Sequence, residues 1–159
     1  MCSYPQLIWH HIYENIPLFQ YPASMNSNIY KNDDLGNCRR KVKPWLVAWT
    51  GNKPEKLIEF YSEDAFYLDP AKPSGLKGPE QIFPYFKKLL EANPRWIWEA
   101  VELFPAKKGF TAKWKATIRV GTKVIIEYGM DIVEIENGKI KRNEVYFDKS
   151  NLLASLMNK

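Results

Sequence analysis

The stretch from Trp96 to Phe147 reads as four strand-like runs with almost nothing between them. The runs are Trp96–Phe104, Phe110–Val120, Lys123–Glu136 and Lys139–Phe147, joined by Pro105-Ala106-Lys107-Lys108-Gly109, Gly121-Thr122 and Asn137-Gly138. Connectors this short permit hairpins only, because a parallel crossover needs a dozen or more residues. Asn-Gly is also the pair that a two-residue hairpin turn favours most strongly. An antiparallel meander follows. Along its second run Trp114, Ala116, Ile118 and Val120 alternate with Lys113, Lys115, Thr117 and Arg119, so one face of the sheet is written for burial and the other for water.

An apolar sheet face needs a cover, and helical signals come ahead of it. Trp45–Thr50 is a short helical run that Gly51 ends, and Pro54 opens a second helix with Leu57, Ile58 and Tyr61 on one face. Ala65–Leu68 is a short strand, and Asp69–Gly78, with Pro70, Pro73, Gly75 and Gly78, is predicted to be a loop. Pro79 opens a third helix with Ile82, Phe83, Phe86, Leu89 and Leu90 together, kinked at Pro84. Ser150 is expected to cap a closing helix that turns Leu152, Leu153 and Leu156 inward. The expected architecture is α+β, with three N-terminal helices packed on a curved antiparallel sheet and a short C-terminal helix.

Upstream of Lys43 the character changes. Residues 23 to 43 are polar and aperiodic, as in a linker or mobile arm. Between Pro5 and Pro17, Ile8, Trp9, Ile12, Tyr13 and Ile16 share a helical face, which suits either a short docking helix or a plain extension. The reading is an extension or linker over 1–43 and one domain over 44–159, a size that 159 residues with 45% hydrophobic content supports.

The inventory excludes several chemistries. Cys2 and Cys38 are the only cysteines and His10 and His11 the only histidines, all before the domain, so a disulfide scaffold, a Cys/His metal site and Ser-His or Cys-His catalysis are not expected within it. There is no run long and apolar enough for a membrane span and no leader pattern, so the expected location is the cytoplasm. The net charge is +5, but apart from Arg39, Arg40, Lys41 and Lys43, and Lys139, Lys141 and Arg142, acidic residues are interspersed. No nucleic-acid partner is expected from a surface without a basic stripe or a recognisable module.

The element order, together with Phe60-Tyr61-Ser62-Glu63-Asp64-Ala65, Leu68-Asp69-Pro70, Gly78-Pro79-Glu80-Gln81-Ile82, Gly129-Met130-Asp131, Asn137-Gly138-Lys139-Ile140 and Val145-Tyr146-Phe147-Asp148, resembles the cone-shaped family of nuclear transport factor 2, ketosteroid isomerase and the SnoaL-like polyketide cyclases. The resemblance covers Trp45 to about Leu156. It implies that Glu127, Gly129, Asp131, Val133 and Ile135 face a cavity, joined on the last strand by Asn143, Val145 and Phe147. Tyr128, Met130 and Ile132 would then form an apolar outer face suited to a homodimer, and Glu144, Tyr146 and Asp148 would point outward.

By the same resemblance Asp69 matches the general base of ketosteroid isomerase, and Asp131 its protonated carboxyl donor to an oxyanion. Burial among Val124, Ile126 and Val133 would supply the desolvation that a neutral Asp131 needs. The companion tyrosine of that enzyme would fall near Trp45, where the first helix has none, although an indole N–H could donate instead. Epoxide-hydrolase chemistry would want an Arg where Gly129 stands and an acid where Val145 stands, and dehydratase chemistry would want cavity histidines. The expected ligand-binding residues are Trp45, Trp49, Tyr61, Phe86, Trp114, Ala116, Ile118, Val133, Asn143, Val145 and Phe147, with no metal and no cofactor. Two functions fit. One is a small apolar ligand held in an enclosed hydrophobic pocket with cofactor-free proton transfer, of isomerase or polyketide-cyclase type. The other is a non-catalytic ligand- or protein-binding dimer.

Overall fold

The long meander folds as hairpins closed by tight turns. A computed structural model of the chain describes residues 42–157 except Gly121; the expectations for the helical face at 8–16, the linker, the cysteines and the histidines lie outside the described residues. In chain order the elements are α1 (42–49), α2 (Pro54–Ile58), β1 (Tyr61–Asp69), β2 (Lys72–Lys77), α3 (Gly78–Ala92), β3 (Ile97–Ala106), β4 (Gly109–Val120), β5 (Lys123–Glu136), β6 (Lys139–Phe147) and α4 (Ser150–Met157). β4 and β5 pair without a break from Val120↔Lys123 to Gly109↔Glu134. At the β5–β6 turn Asn137 has φ 50° and Gly138 φ 80°, the double left-handed conformation for which Asn-Gly is selected.

One sheet of six strands results, in the order β2-β1-β6-β5-β4-β3. Several expectations need correction here. The sheet is mixed, because β1 runs parallel to β6 (Tyr67↔Asn143), a pairing between distant segments that no local pattern announces. The helices do not form an N-terminal group of three: α2 has five residues, Tyr61 belongs to β1, and α3 follows two strands. The expected loop contains β2. Asp69 pairs with Lys72 across a two-residue turn, so the chain doubles back at Pro70-Ala71 and lies against β1. Gly75, at φ 74°, is needed there because a Cβ would run into the Phe66 ring. α3 continues through Pro84, and Ser150 is the first residue of α4 rather than its cap, its N–H accepted by Asp148 Oδ1.

α3 covers the sheet with Ile82, Phe86 and Leu90, which recur every four residues and are fully buried. α1 adds Trp45, Leu46, Ala48 and Trp49. The face of β5 and β6 turned away from the helices remains exposed: Val124, Ile126, Tyr128 and Met130 on β5 and Tyr146 on β6 are each at least two-fifths accessible. Val124 and Ile126 therefore do not bury Asp131; Val133 does lie in the core. No helix among the described residues is long and apolar enough to cross a membrane.

Candidate functional site

Near one end of the sheet the cover is incomplete, leaving a cavity of about 180 Å³. Leu46 and Trp49 of α1, Tyr85 and Leu89 of α3, and Leu152 and Leu153 of α4 form its helical walls. The sheet side carries Tyr67 and Asp69 of β1, Trp98 of β3, Trp114 of β4, Asp131 of β5, and Val145 and Phe147 of β6. Trp96, Pro70, Ala71 and Lys149 complete the lining. A larger hollow of about 880 Å³, between α1 and the edge strand β3, shares Leu46 and Trp98 with the cavity. Its two carboxylates, Glu99 and Glu102, are paired with Lys115 and Lys113.

Strand parity brings Asp131 to the cavity. In the sheet it stands between Ala112 and Val145, and it is 4% exposed. The Trp114 indole donates to Oδ1 at 2.7 Å, and Asn143 Nδ2 donates to Oδ2 at 3.0 Å. Asn143 is itself oriented, because its Oδ1 accepts the Tyr61 hydroxyl at 2.9 Å. Gly129 permits this geometry: a Cβ there would collide with the Trp114 ring, whose N–H reaches along the face to Asp131.

Burial pushes the Asp131 carboxyl up to about 7; the bonds from Asn143 and Trp114 hold it down, and the negative charge of Asp69 adds to the rise. Each oxygen already receives one N–H, so the proton of the neutral form occupies a remaining lone-pair position. Burial, with the nearby charge of Asp131, pushes the Tyr61 hydroxyl well above the phenol range, so it stays a donor.

Asp69 is built differently. Oδ1 accepts the N–H groups of Ala71 and Lys72, both at 2.8 Å, and Oδ2 accepts the hydroxyls of Tyr67 at 3.0 Å and Tyr85 at 2.5 Å. Four donors fill the acceptor capacity of a carboxylate. Burial, followed by the contact with Asp69, holds the Tyr85 hydroxyl far above its usual range, and burial likewise raises Tyr67. Asp69 thus fastens the turn into β2 to α3.

The family can be read at this point. Residues 42–143 match the SnoaL-like domain family, more than half of the chain. The chain belongs to the SnoaL-like family. Solved structures agree on the fold. A protein of ketosteroid isomerase-like fold from Catenulispora acidiphila, solved in complex with trimethylamine, is 22% identical with a TM-score of 0.63, covering 72% of this chain and 89% of that one. A candidate SnoaL-like polyketide cyclase from Shewanella putrefaciens is 12% identical with a TM-score of 0.67, covering 86% and 93%. An NTF2-like protein from Cytophaga hutchinsonii is 17% identical with a TM-score of 0.55, covering 73% and 94%. The curated proteins give no significant match.

In this SnoaL-like domain the cavity gathers Asp69, Asp131, Trp49, Trp114, Val145 and Phe147 from the expected set. It leaves out Trp45, Tyr61, Phe86, Ala116, Ile118, Val133 and Asn143, all of which are buried in the core. Trp45 packs edge-on to Phe110, and Phe86 packs against Tyr61 and Trp49. Alternation tells which face a residue occupies but not how far along the strand the helices fill the space.

Tyr67, Tyr85, Trp96 and Trp98 belong to the lining and were not among the expected residues. Tyr67 could have been found by parity, two residues before Asp69, whereas Trp98, on the edge strand β3, has no such local signal. Glu127 is buried on the inner face but outside the cavity, and its Oε1 has no hydrogen-bond partner. Burial and the charge of Asp148 raise its carboxyl, while a bond to the Leu152 backbone opposes the rise. Among the described residues no three His, Cys, Asp or Glu side chains group so as to hold a metal ion.

Proposed function

We propose that this SnoaL-like protein binds a compact small molecule in the cavity and exchanges a proton with it through Asp131, without a cofactor, as an isomerase or polyketide cyclase does. The observation that carries this reading is a single carboxyl, buried at an apolar wall and pushed up to about 7. A proton-transfer group is most effective when its pKa lies near the operating pH. Asp131 then takes the part of base or acid, and Asp69, whose oxygens are occupied, positions the turn and the two phenols. This exchanges the emphasis that the family resemblance implies.

The cavity of about 180 Å³ holds the volume of about six liquid waters, which favours compact ligands over polycyclic ones. The trimethylamine in the Catenulispora protein supports starting with molecules of that order. Carboxyl-carbon NMR of Asp131 tests the reading: a midpoint between pH 6 and 8 is expected, and a midpoint near 4 would remove the proton-transfer role. With a turned-over substrate in hand, Asp131→Asn is expected to lower kcat by about 10² or more.

The rival reading, a non-catalytic binding protein, is favoured by the saturation of Asp69, since among the described lining residues no second carboxyl keeps an open acceptor position. Binding that survives Asp131→Asn with no turnover of any ligand would select it. We further propose that the exposed apolar row on β5 is covered by a second copy of the chain, that the domain proper starts with α1 at 42, where Val42 enters the core, rather than at 44, with the residues before it an extension, and that the protein works in the cytoplasm.

A further inference from the structure

The cavity pairs an indole wall with acidic groups. Trp98 touches Trp114 at 4.7 Å between ring centres, and Trp49 and Trp96 at 5.9 Å each, with planes inclined by 75°, 51° and 66°. None of these pairs stacks in parallel, and all four rings line the cavity. Both carboxylates of the cavity, Asp69 and Asp131, are buried, and Lys149 is the only cation among its described lining residues. The Lys149 ammonium donates to the Pro70 carbonyl at 3.2 Å.

Indole faces attract cations, and do so best where water is excluded. A primary ammonium would bring three N–H donors to a site where Asp69 has no acceptor position left and Asp131 keeps only one lone pair on each oxygen, and an unmatched donor is costly to bury. An alkylated ammonium brings charge with few donors or none. We propose that the ligand carries a methylated ammonium group, seated against Trp49, Trp96, Trp98 and Trp114 with its charge toward Asp131. This rests on the reading of the cavity as a small-molecule site and names the chemical class that the site takes.

The charged and titratable groups around Asp131 fix the sign of the pH dependence. They are Asp69, Tyr61 and Tyr67 from β1, Tyr85 from α3, Glu127 on its own strand and Lys149 ahead of α4; α1 and β3 present only Leu46, Trp49 and Trp98 to the cavity. The phenols stay neutral, and of the groups lining the cavity it is Asp131 that is raised to about 7. A bound cation favours its charged form, and affinity rises with pH.

Choline and 3,3-dimethylbutan-1-ol differ only in a quaternary nitrogen for a quaternary carbon, and titration of the full chain by calorimetry or tryptophan fluorescence separates charge from shape. At pH 8 choline should bind at least tenfold more tightly than the alcohol, and the ratio should fall at least threefold by pH 5.5. Trp98→Leu should weaken choline more than the alcohol, and Asp131→Asn should abolish the pH dependence of the ratio. Equal binding, or tighter binding of the alcohol at pH 8, overturns the ammonium class while leaving a small-molecule cavity in place. Binding of neither compound at tens of millimolar overturns both.

Discussion

Asp131 couples the chemistry of the site to the stability of the fold. Its carboxyl is raised from 3.8 to about 7 by burial, so the folded state holds its proton more tightly than the unfolded chain does. The contribution of this group is most favourable below pH 4 and is lost as pH rises toward and through 7, amounting to about 4 kcal/mol for a shift of this size. Asp131→Asn removes the dependence. Relative to wild type the variant should therefore gain stability steadily between pH 4 and pH 8, as read from paired urea denaturation curves. Parallel curves would show that Asp131 titrates alike in both states. The acidic groups that form half-buried ion pairs, such as Glu134 and Glu144 with Arg142, are present in both proteins and cancel in the comparison.

At the scale of elements, the turn between β1 and β2 hangs on Asp69. Asp69→Asn leaves the shape but withdraws charge from two phenol donors and two backbone N–H groups, and should cost about 1–3 kcal/mol in chemical denaturation. A retained proton-transfer rate in the surviving folded fraction would agree with a positioning role; loss of all turnover with unchanged stability would return Asp69 to the part of base. The same segment marks the limit of what sequence reveals. Short connectors and period-two alternation made β4, β5 and β6 and their inward residues legible, because those signals are local. β2 was hidden under Pro70, Pro73 and Gly75, which read as loop although the turn needs only two residues. Asp131 could be placed by parity, but the saturation of Asp69 depends on Tyr85 arriving from α3, and Trp98 joins the site only through the curvature of an edge strand. Neither is written within any window of neighbouring residues.

At the scale of the molecule, the uncovered face of the sheet carries the next expectation. Val124, Ile126, Tyr128 and Met130 form an apolar row on β5, bordered by Lys115–Glu99 and Lys113–Glu102 on one side and Arg142 with Glu134 and Glu144 on the other. A row of this kind, its flanking charges already neutralised, suits a two-fold interface of roughly 800 Å² per partner. Sedimentation at micromolar concentration should give a dimer, and the pair Tyr128→Glu and Met130→Glu should give a folded monomer. A wild-type monomer under those conditions would count against the interface.

The parallel contact between β1 and β6 has a consequence for how the chain is made. Phe66 lies beside Arg142, and Tyr61 reaches Asn143 across 82 positions of sequence. Hairpins β3–β4 and β4–β5 can zip as soon as they are synthesised, but β1 has no strand neighbour except β2 until β6 appears. The relay from Tyr61 through Asn143 to Asp131 is therefore among the last contacts to form, and loop closure over that distance slows the step. A nascent chain that ends before β6 lacks Asn143, Val145 and Phe147, so the cavity and the partners of Asp131 are complete only once that strand has emerged.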